Sequence, residues 1–182
     1  MSNKEIPNMR PDILTYSGNY FDFMEPEKSV ISIEDIAHGL SNTCRFGGHS
    51  RQFYSVAQHS VLVAQLVPPK YSFQGLMHDA AEAYIGDIPK PLKNLLPDYR
   101  EIEKRVELAI FKHFGLPLTL SPTVKNADLL MLATEQRDLM APHDDEWMLI
   151  KGVEPIQSRV IPITPDQAFN LFMQAFDAMN KL

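Results

Sequence analysis

The segment LMHDAAEAY sets His78 and Asp79 between Leu76-Met77 and Ala80-Ala81, with Glu82 just beyond. On a helix His78 and Glu82 stand at i, i+4 and Asp79 and Glu82 at i, i+3, so all of them can share one side. Carboxylates and an imidazole among apolar neighbours are costly unless they are paired or hold a metal. Two more polar residues stand in the same kind of place, His59 in SVAQHSVLVA and Asp128 in KNADLLMLA. Each alone has a plainer role, His59 as a hydrogen-bonded core histidine and Asp128 as a satisfied helix acid. Together they form a mixed nitrogen and oxygen set suited to a divalent transition metal such as cobalt, manganese, zinc, iron or nickel. Such a set leaves positions of an octahedron open for water and substrate. There the ion would lower the pKa of water and polarise a phosphate oxygen. Glu82, beside it, is placed to orient the attacking water or to take its proton.

These residues need helices to hold them, and helix signals run through most of the chain. Ser32 precedes Ile33, Ile36, Ala37 and Leu40, an i, i+3, i+4, i+7 rhythm. Ser55 with Gln58 forms a capping-box pattern that opens a helix ended by Pro68-Pro69. A third helix is expected over about 72–84, stopping before Gly86 and Pro89. GDIPKPLKNLLPD reads as an ordered loop, and a long helix then runs to Phe114 with Gly115 as its cap. Ser121-Pro122 starts a helix through Asp138, and Thr164-Pro165 with Gln167 starts the last one. Ala168, Leu171, Phe172, Ala175, Phe176 and Met179 trace an apolar stripe on it, which reads either as an interface or as the closing face of the core. Before all of these, ILTYSGNYFDF suggests a small hairpin turning at Ser17-Gly18-Asn19. Six helices and one hairpin predict a single all-α helical bundle over residues 1–182.

Length and composition agree with one globular domain of 182 residues, 45 % hydrophobic and 22 % charged. The formal charge, 17 − 23 = −6, argues against wrapping duplex nucleic acid. Cys44 is the sole cysteine, so no intrachain disulfide forms and a reducing compartment fits. The opening MSNKEIPNMRPDIL reads as no signal peptide, and no apolar run approaches the ~18 residues that cross a bilayer. A soluble, cytoplasmic protein is expected.

The order His59, His78-Asp79, Asp128 resembles the H…HD…D signature of the HD-domain metal-dependent phosphohydrolases. YSVAQHS, MHDAAEAYIGDIPKPLK and KNADLL are similar, more narrowly, to the bacterial 5′-deoxynucleotidase branch and its phage-borne relatives, among them triphosphohydrolases that remove dATP. The resemblance spans roughly 33–138. It implies an all-α bundle around the metal, with His59, His78, Asp79 and Asp128 as ligands and Glu82 near the water. Asp87 falls where the deoxynucleotidases place a carboxylate close to the sugar, its alternative being a helix-ending turn residue. Arg45-Phe46 falls near the family's Arg-aromatic pair, where the Arg meets phosphate and the ring lies against the sugar. Here Phe stands for the more familiar Trp and the spacing to His59, 59 − 45 = 14, is slightly short, so a structural salt bridge competes for Arg45.

The resemblance implies a small-molecule deoxynucleotide substrate, no membrane partner and a homo-oligomer. The expected reaction converts a deoxynucleoside 5′-monophosphate to nucleoside and phosphate. The alternative is a triphosphohydrolase releasing tripolyphosphate, for which Lys90, Lys93, His49 and Arg51 would meet the extra phosphates. A non-catalytic nucleotide-binding module would be marked by loss of a ligand, and none is lost. Tyr84 could stack on a base or simply pack. The polar run His143-Asp144-Asp145-Glu146 reads as a solvated loop rather than a second metal site, and His38 and His113 carry no assigned role.

Overall fold

In the computed structural model, residues 10–179 are described; most of the segment read as no signal peptide lies outside them. Strands β1 (Asp12–Leu14) and β2 (Tyr20–Asp22) pair antiparallel, with Ile13 opposite Phe21. Helices follow as α1 (Ile33–Asn42), α2 (Val56–Leu66), α3 (Pro69–Leu76), α4 (Glu82–Ile85), α5 (Lys90–Lys93), α6 (Pro97–His113), α7 (Pro122–Leu139) and α8 (Pro165–Met179). The chain is all-α with a small N-terminal hairpin.

The hydroxyls that open these helices are the ones their sequence positions suggest. Ser32 Oγ accepts from the Asp35 N–H at 3.0 Å, Ser55 Oγ from Gln58 at 3.2 Å and Ser121 Oγ from Thr123 at 3.2 Å. Thr164 and Gln167 cap each other reciprocally, at 3.3 and 3.0 Å. At Ser55 only half of the capping box forms. The Gln58 amide instead donates to the Ile161 carbonyl and accepts from the Ile163 N–H, tying down the segment before α8. At the end of α6, Leu116 N–H bonds to Phe111 C=O and Gly115 N–H to Lys112 C=O, closing the helix around Gly115.

Two expectations are corrected. The helix expected over 72–84 is broken: α3 ends at Leu76, Met77 to Ala81 run as tight turns, and α4 restarts at Glu82. The cause is His78, whose Nδ1 takes the Gly75 carbonyl at 2.8 Å, the acceptor that a continued helix would offer to the Asp79 N–H. The bonds Ala80 N–H to Met77 C=O and Glu82 N–H to Asp79 C=O then tighten the chain to i→i−3 spacing, so His78 and Glu82 do not share a regular helix face. The proline-rich stretch is also not all loop, since it contains α5.

Helix α2 has almost no solvent side. Val56, Ala57, Gln58, His59, Ser60, Val61, Val63 and Ala64 are all buried, as expected of a helix enclosed on every face. α1, α3, α7 and α8 surround it. Close approach to α3 depends on Gly75, where a Cβ would lie 3.0 Å from Ala64 Cα; at Gly39 of α1, one would lie 2.6 Å from the Ala83 carbonyl oxygen. Ala168 and Phe172 of α8 are fully buried, and Leu171, Ala175, Phe176 and Met179 pack on the same core. The apolar stripe of α8 therefore closes the core.

The hairpin is docked by Asp35 of α1, which accepts from Thr15 Oγ1, Ser17 N–H and Ser17 Oγ at 2.7–3.0 Å. Phe21 of β2 stacks on Tyr84 with centroids 3.8 Å apart. Among the described residues no helix is long and apolar enough to cross a membrane.

Candidate metal centre

His59 comes from α2, His78 and Asp79 from the turns that break the helix, and Asp128 from α7. The tautomers follow from the hydrogen-bond partners. His59 Nδ1 lies 2.6 Å from Glu135 Oε1, and His78 Nδ1 lies 2.8 Å from the Gly75 carbonyl oxygen. Both partners only accept, so both Nδ1 atoms carry hydrogen. In the neutral rings, each Nε2 is left with a lone pair, and the two Nε2 atoms face each other at 3.2 Å. Asp79 Oδ2 lies 3.5 and 3.2 Å from them, and Asp128 Oδ1 lies 3.2 and 3.9 Å away.

Basic atoms brought this close repel one another unless a cation or shared protons sit among them. The ligand atoms of His59, His78 and Asp128 lie within 4.8 Å of one another and form a group that can hold a metal ion. Asp79 adds a carboxylate to it. The Nδ1 partners supply the outer support that metal-bound histidines generally have.

Charge inside the cluster is mutually supporting. Burial raises the Asp79 carboxyl, but His78 and His59 outweigh it and hold it at about 2. Asp128 is likewise pushed up by burial and held far lower by hydrogen bonds from His59 and His78. Burial lowers both imidazoles, and Arg45 lowers His59 further. Glu135 and Asp128 outweigh this at His59, as Asp79 and Asp128 do at His78, so both end above the ordinary histidine value. A divalent cation held there would compete with protons for the same atoms.

Glu135 escapes the sequence reading, which covers it only as part of the helix through Asp138. It is fully buried, and besides His59 it accepts from Tyr54 Oη at 2.8 Å and from Arg45 Nε and Nη2 at 3.2 and 3.1 Å. Burial raises its carboxyl, but Arg45 and His59 bring it below the ordinary glutamate value. The available signal was its place seven residues after Asp128 on the same helix, which returns it to nearly the same face.

Arg45 is therefore largely committed to a structural ion pair, with Nη1 left 3.6 Å from Asp79 Oδ2. Its neighbour Phe46 has φ +56°, a left-handed backbone, and its ring lies 5.4 Å from the Arg45 guanidinium carbon. Glu82 is buried, and its Oε2 has no hydrogen-bond partner. Burial, then the charges of Asp79 and Asp87, push its carboxyl well above the ordinary glutamate value. Lys93 is 3.9 Å from Glu82 Oε1 and is bonded to Glu103, so its charge is already engaged. Asp87 is raised by burial against the pull of Arg45.

Lys90 and His49 are exposed. Tyr84 packs on Phe21, His38 stacks on Tyr16 at 4.0 Å, and His113 lies edge-on to Phe114. The residues from His143 to Glu146 form an exposed loop, with the His143 ring stacked 5.7 Å from Trp147.

No family model matches the chain. The uncharacterized protein YfdR of Escherichia coli strain K12 is 48 % identical to it over 171 residues, which cover 93 % of this chain and 96 % of that protein. The uncharacterized protein RCAP_rcc00048 of Rhodobacter capsulatus is 36 % identical over 121 residues, 61 % of this chain and 62 % of that one.

Proposed function

Since the chain belongs to the family of YfdR, its chemistry has to be argued from its own residues, and we propose that it is a metal-dependent phosphohydrolase of the HD-domain kind acting on deoxynucleoside 5′-monophosphates. The observation that carries this reading is the convergence of two Nε2 lone pairs, fixed by acceptors at both Nδ1 atoms, with Asp79 and Asp128. A divalent ion bound there would polarise a phosphate oxygen and lower the pKa of a water. Glu82 Oε2, buried and unpartnered, orients that water and accepts its proton for in-line attack at phosphorus. Arg45, anchored by Glu135, turns Nη1 toward the Asp79 side and offsets charge on the non-bridging oxygens. Asp87, close enough to Arg45 and Asp79 for their charges to act on its carboxyl, would meet the sugar in this reading. This reading implies a cytoplasmic homo-oligomer.

The state of the cations favours the monophosphate over the triphosphate. Lys93 is occupied by Glu103 and Glu82, and the other groups named for a polyphosphate tail, Lys90, His49 and Arg51, are exposed side chains, so little positive charge is fixed for such a tail.

Product analysis of manganese- or cobalt-loaded protein incubated with dAMP and with dATP tests the reaction. Orthophosphate from dAMP with dATP intact is expected. Tripolyphosphate from dATP would replace the reading by a triphosphohydrolase. No product from either, with metal bound, would sink it.

A further inference from the structure

Around the C-terminal end of α7 lies an open cleft of about 370 Å³ lined by Arg51, Gln136, Met140, Pro142 and His143 among others. We propose that this cleft is a nucleobase subsite, with His143, backed by the stacked ring of Trp147, as its aromatic wall and Gln136 facing the edge of the base. The proposal rests on the phosphohydrolase reading for its substrate class, but on different residues.

Position is the first argument. α7 carries Asp128 of the ligand set and, eight residues further on, Gln136 of the cleft. At 1.5 Å per residue they are about 12 Å apart along the axis, and turned only about 80° from each other. Asp128, Leu129, Leu132 and Gln136 are all partly exposed, so the open side of α7 runs from one place to the other. That separation is comparable to the length of an extended mononucleotide from its phosphate to its base.

A line of rings follows the same route. The Arg45 guanidinium carbon lies 5.4 Å from the Phe46 ring, Phe46 lies 6.2 Å from Trp147, and Trp147 stacks on His143 at 5.7 Å and 14° between planes. Phe46 holds its place in a left-handed backbone conformation, unique among the described non-glycine residues. Strain of this kind persists where surrounding structure fixes a side chain, and it clusters at binding sites.

The lining chemistry fits a base better than a second phosphate. Bases bind to aromatic faces and to amide edges. Gln136 Nε2 is 3.2 Å from His143 Nε2, which leaves its carbonyl oxygen and other amide hydrogen for a ligand. Arg137 also borders the cleft but is engaged with Asp138 and the carbonyls of Ile156 and Ser158. Asp145 at the rim opposes an anion, and exposed Arg51 offers a planar face for stacking.

Trp147 is the chain's single tryptophan and stacks on His143, so its emission reports on the wall through that contact. Metal-loaded protein is titrated with deoxyadenosine and, separately, with 2-deoxyribose 5-phosphate. Saturable quenching by deoxyadenosine, with no change from the sugar phosphate, is expected. Gln136→Ala and His143→Ala, both at partly or fully exposed positions, should each raise KM for dAMP about tenfold and leave turnover of 2-deoxyribose 5-phosphate unchanged. Phosphate release from dAMP with no quenching and unaltered KM in both variants overturns the subsite alone. Quenching by deoxyadenosine without any phosphate release keeps the subsite and removes the hydrolase reading.

Discussion

Two buried glutamates flank the same ligand cluster, and their surroundings are opposite. Glu135, behind His59, is met by donors from His59, Tyr54 and Arg45 and lies below its ordinary pKa. Glu82, on the far side of the His78-Asp79 turn, has one oxygen with no partner and lies well above it. A saturated buried carboxylate stabilises the ionised form and holds its neighbours in place. An unsaturated one is kept ready for a proton, at a cost in folding energy. The difference separates the residue that builds the site from the residue available to work in it.

Removing Glu135 should have the largest effect. Glu135→Ala leaves Arg45 buried without its carboxylate partner and His59 without the acceptor that fixes its tautomer, so stability should fall by about 3–5 kcal/mol in urea unfolding. Glu135→Gln, which keeps the volume, should fold and bind metal about 10–100-fold more weakly by competition with a chelator. Glu82→Gln should behave in the contrary way. Metal content should change little and the unfolding midpoint should not fall, while the rate drops about 10²–10⁴-fold; full turnover in this variant would remove its proposed role.

The two carboxylates also predict opposite pH slopes in stability. Glu135 binds its proton less tightly folded than unfolded, so its contribution is present above about pH 4.5, the ordinary glutamate value, and is lost as pH falls below it. Glu82 binds its proton more tightly folded, so its contribution is present below that value and is lost as pH rises through its elevated pKa. Urea midpoints of wild type and Glu82→Gln across pH should diverge on the alkaline side of 4.5, the variant losing the decline. The smallest effect is expected for Lys93→Met. Removing the cation 3.9 Å from Glu82 should move the acid limb of the rate profile upward by less than about one pH unit, with metal content unchanged.

The candidate ligand residues were legible because they are polar groups among apolar neighbours, and the helix starts because Ser and Thr caps are local signals. The break at Met77–Ala81 was not legible, since no proline or glycine lies within it. It arises when His78 claims the Gly75 carbonyl, a choice that depends on where His78 must point. Glu135 stayed hidden for a related reason: its partners Arg45, Tyr54 and His59 lie 90, 81 and 76 residues away, and no local pattern marks such a meeting. Lys93 looked free in sequence because Glu103, ten residues on, comes alongside only through the packing of α5 and α6.

The place of α8 bears on how the chain matures during synthesis. α1 and α2 leave the ribosome early, yet the surface they share stays uncovered until Ala168 and Phe172 have been made. Through most of elongation the nascent protein carries an open apolar trough, attractive to chaperones and to proteases. A premature stop near Pro155 would spare every proposed metal ligand and still send the product to degradation, so loss of protein in the cell, rather than loss of catalysis, is the phenotype to look for in C-terminal truncations.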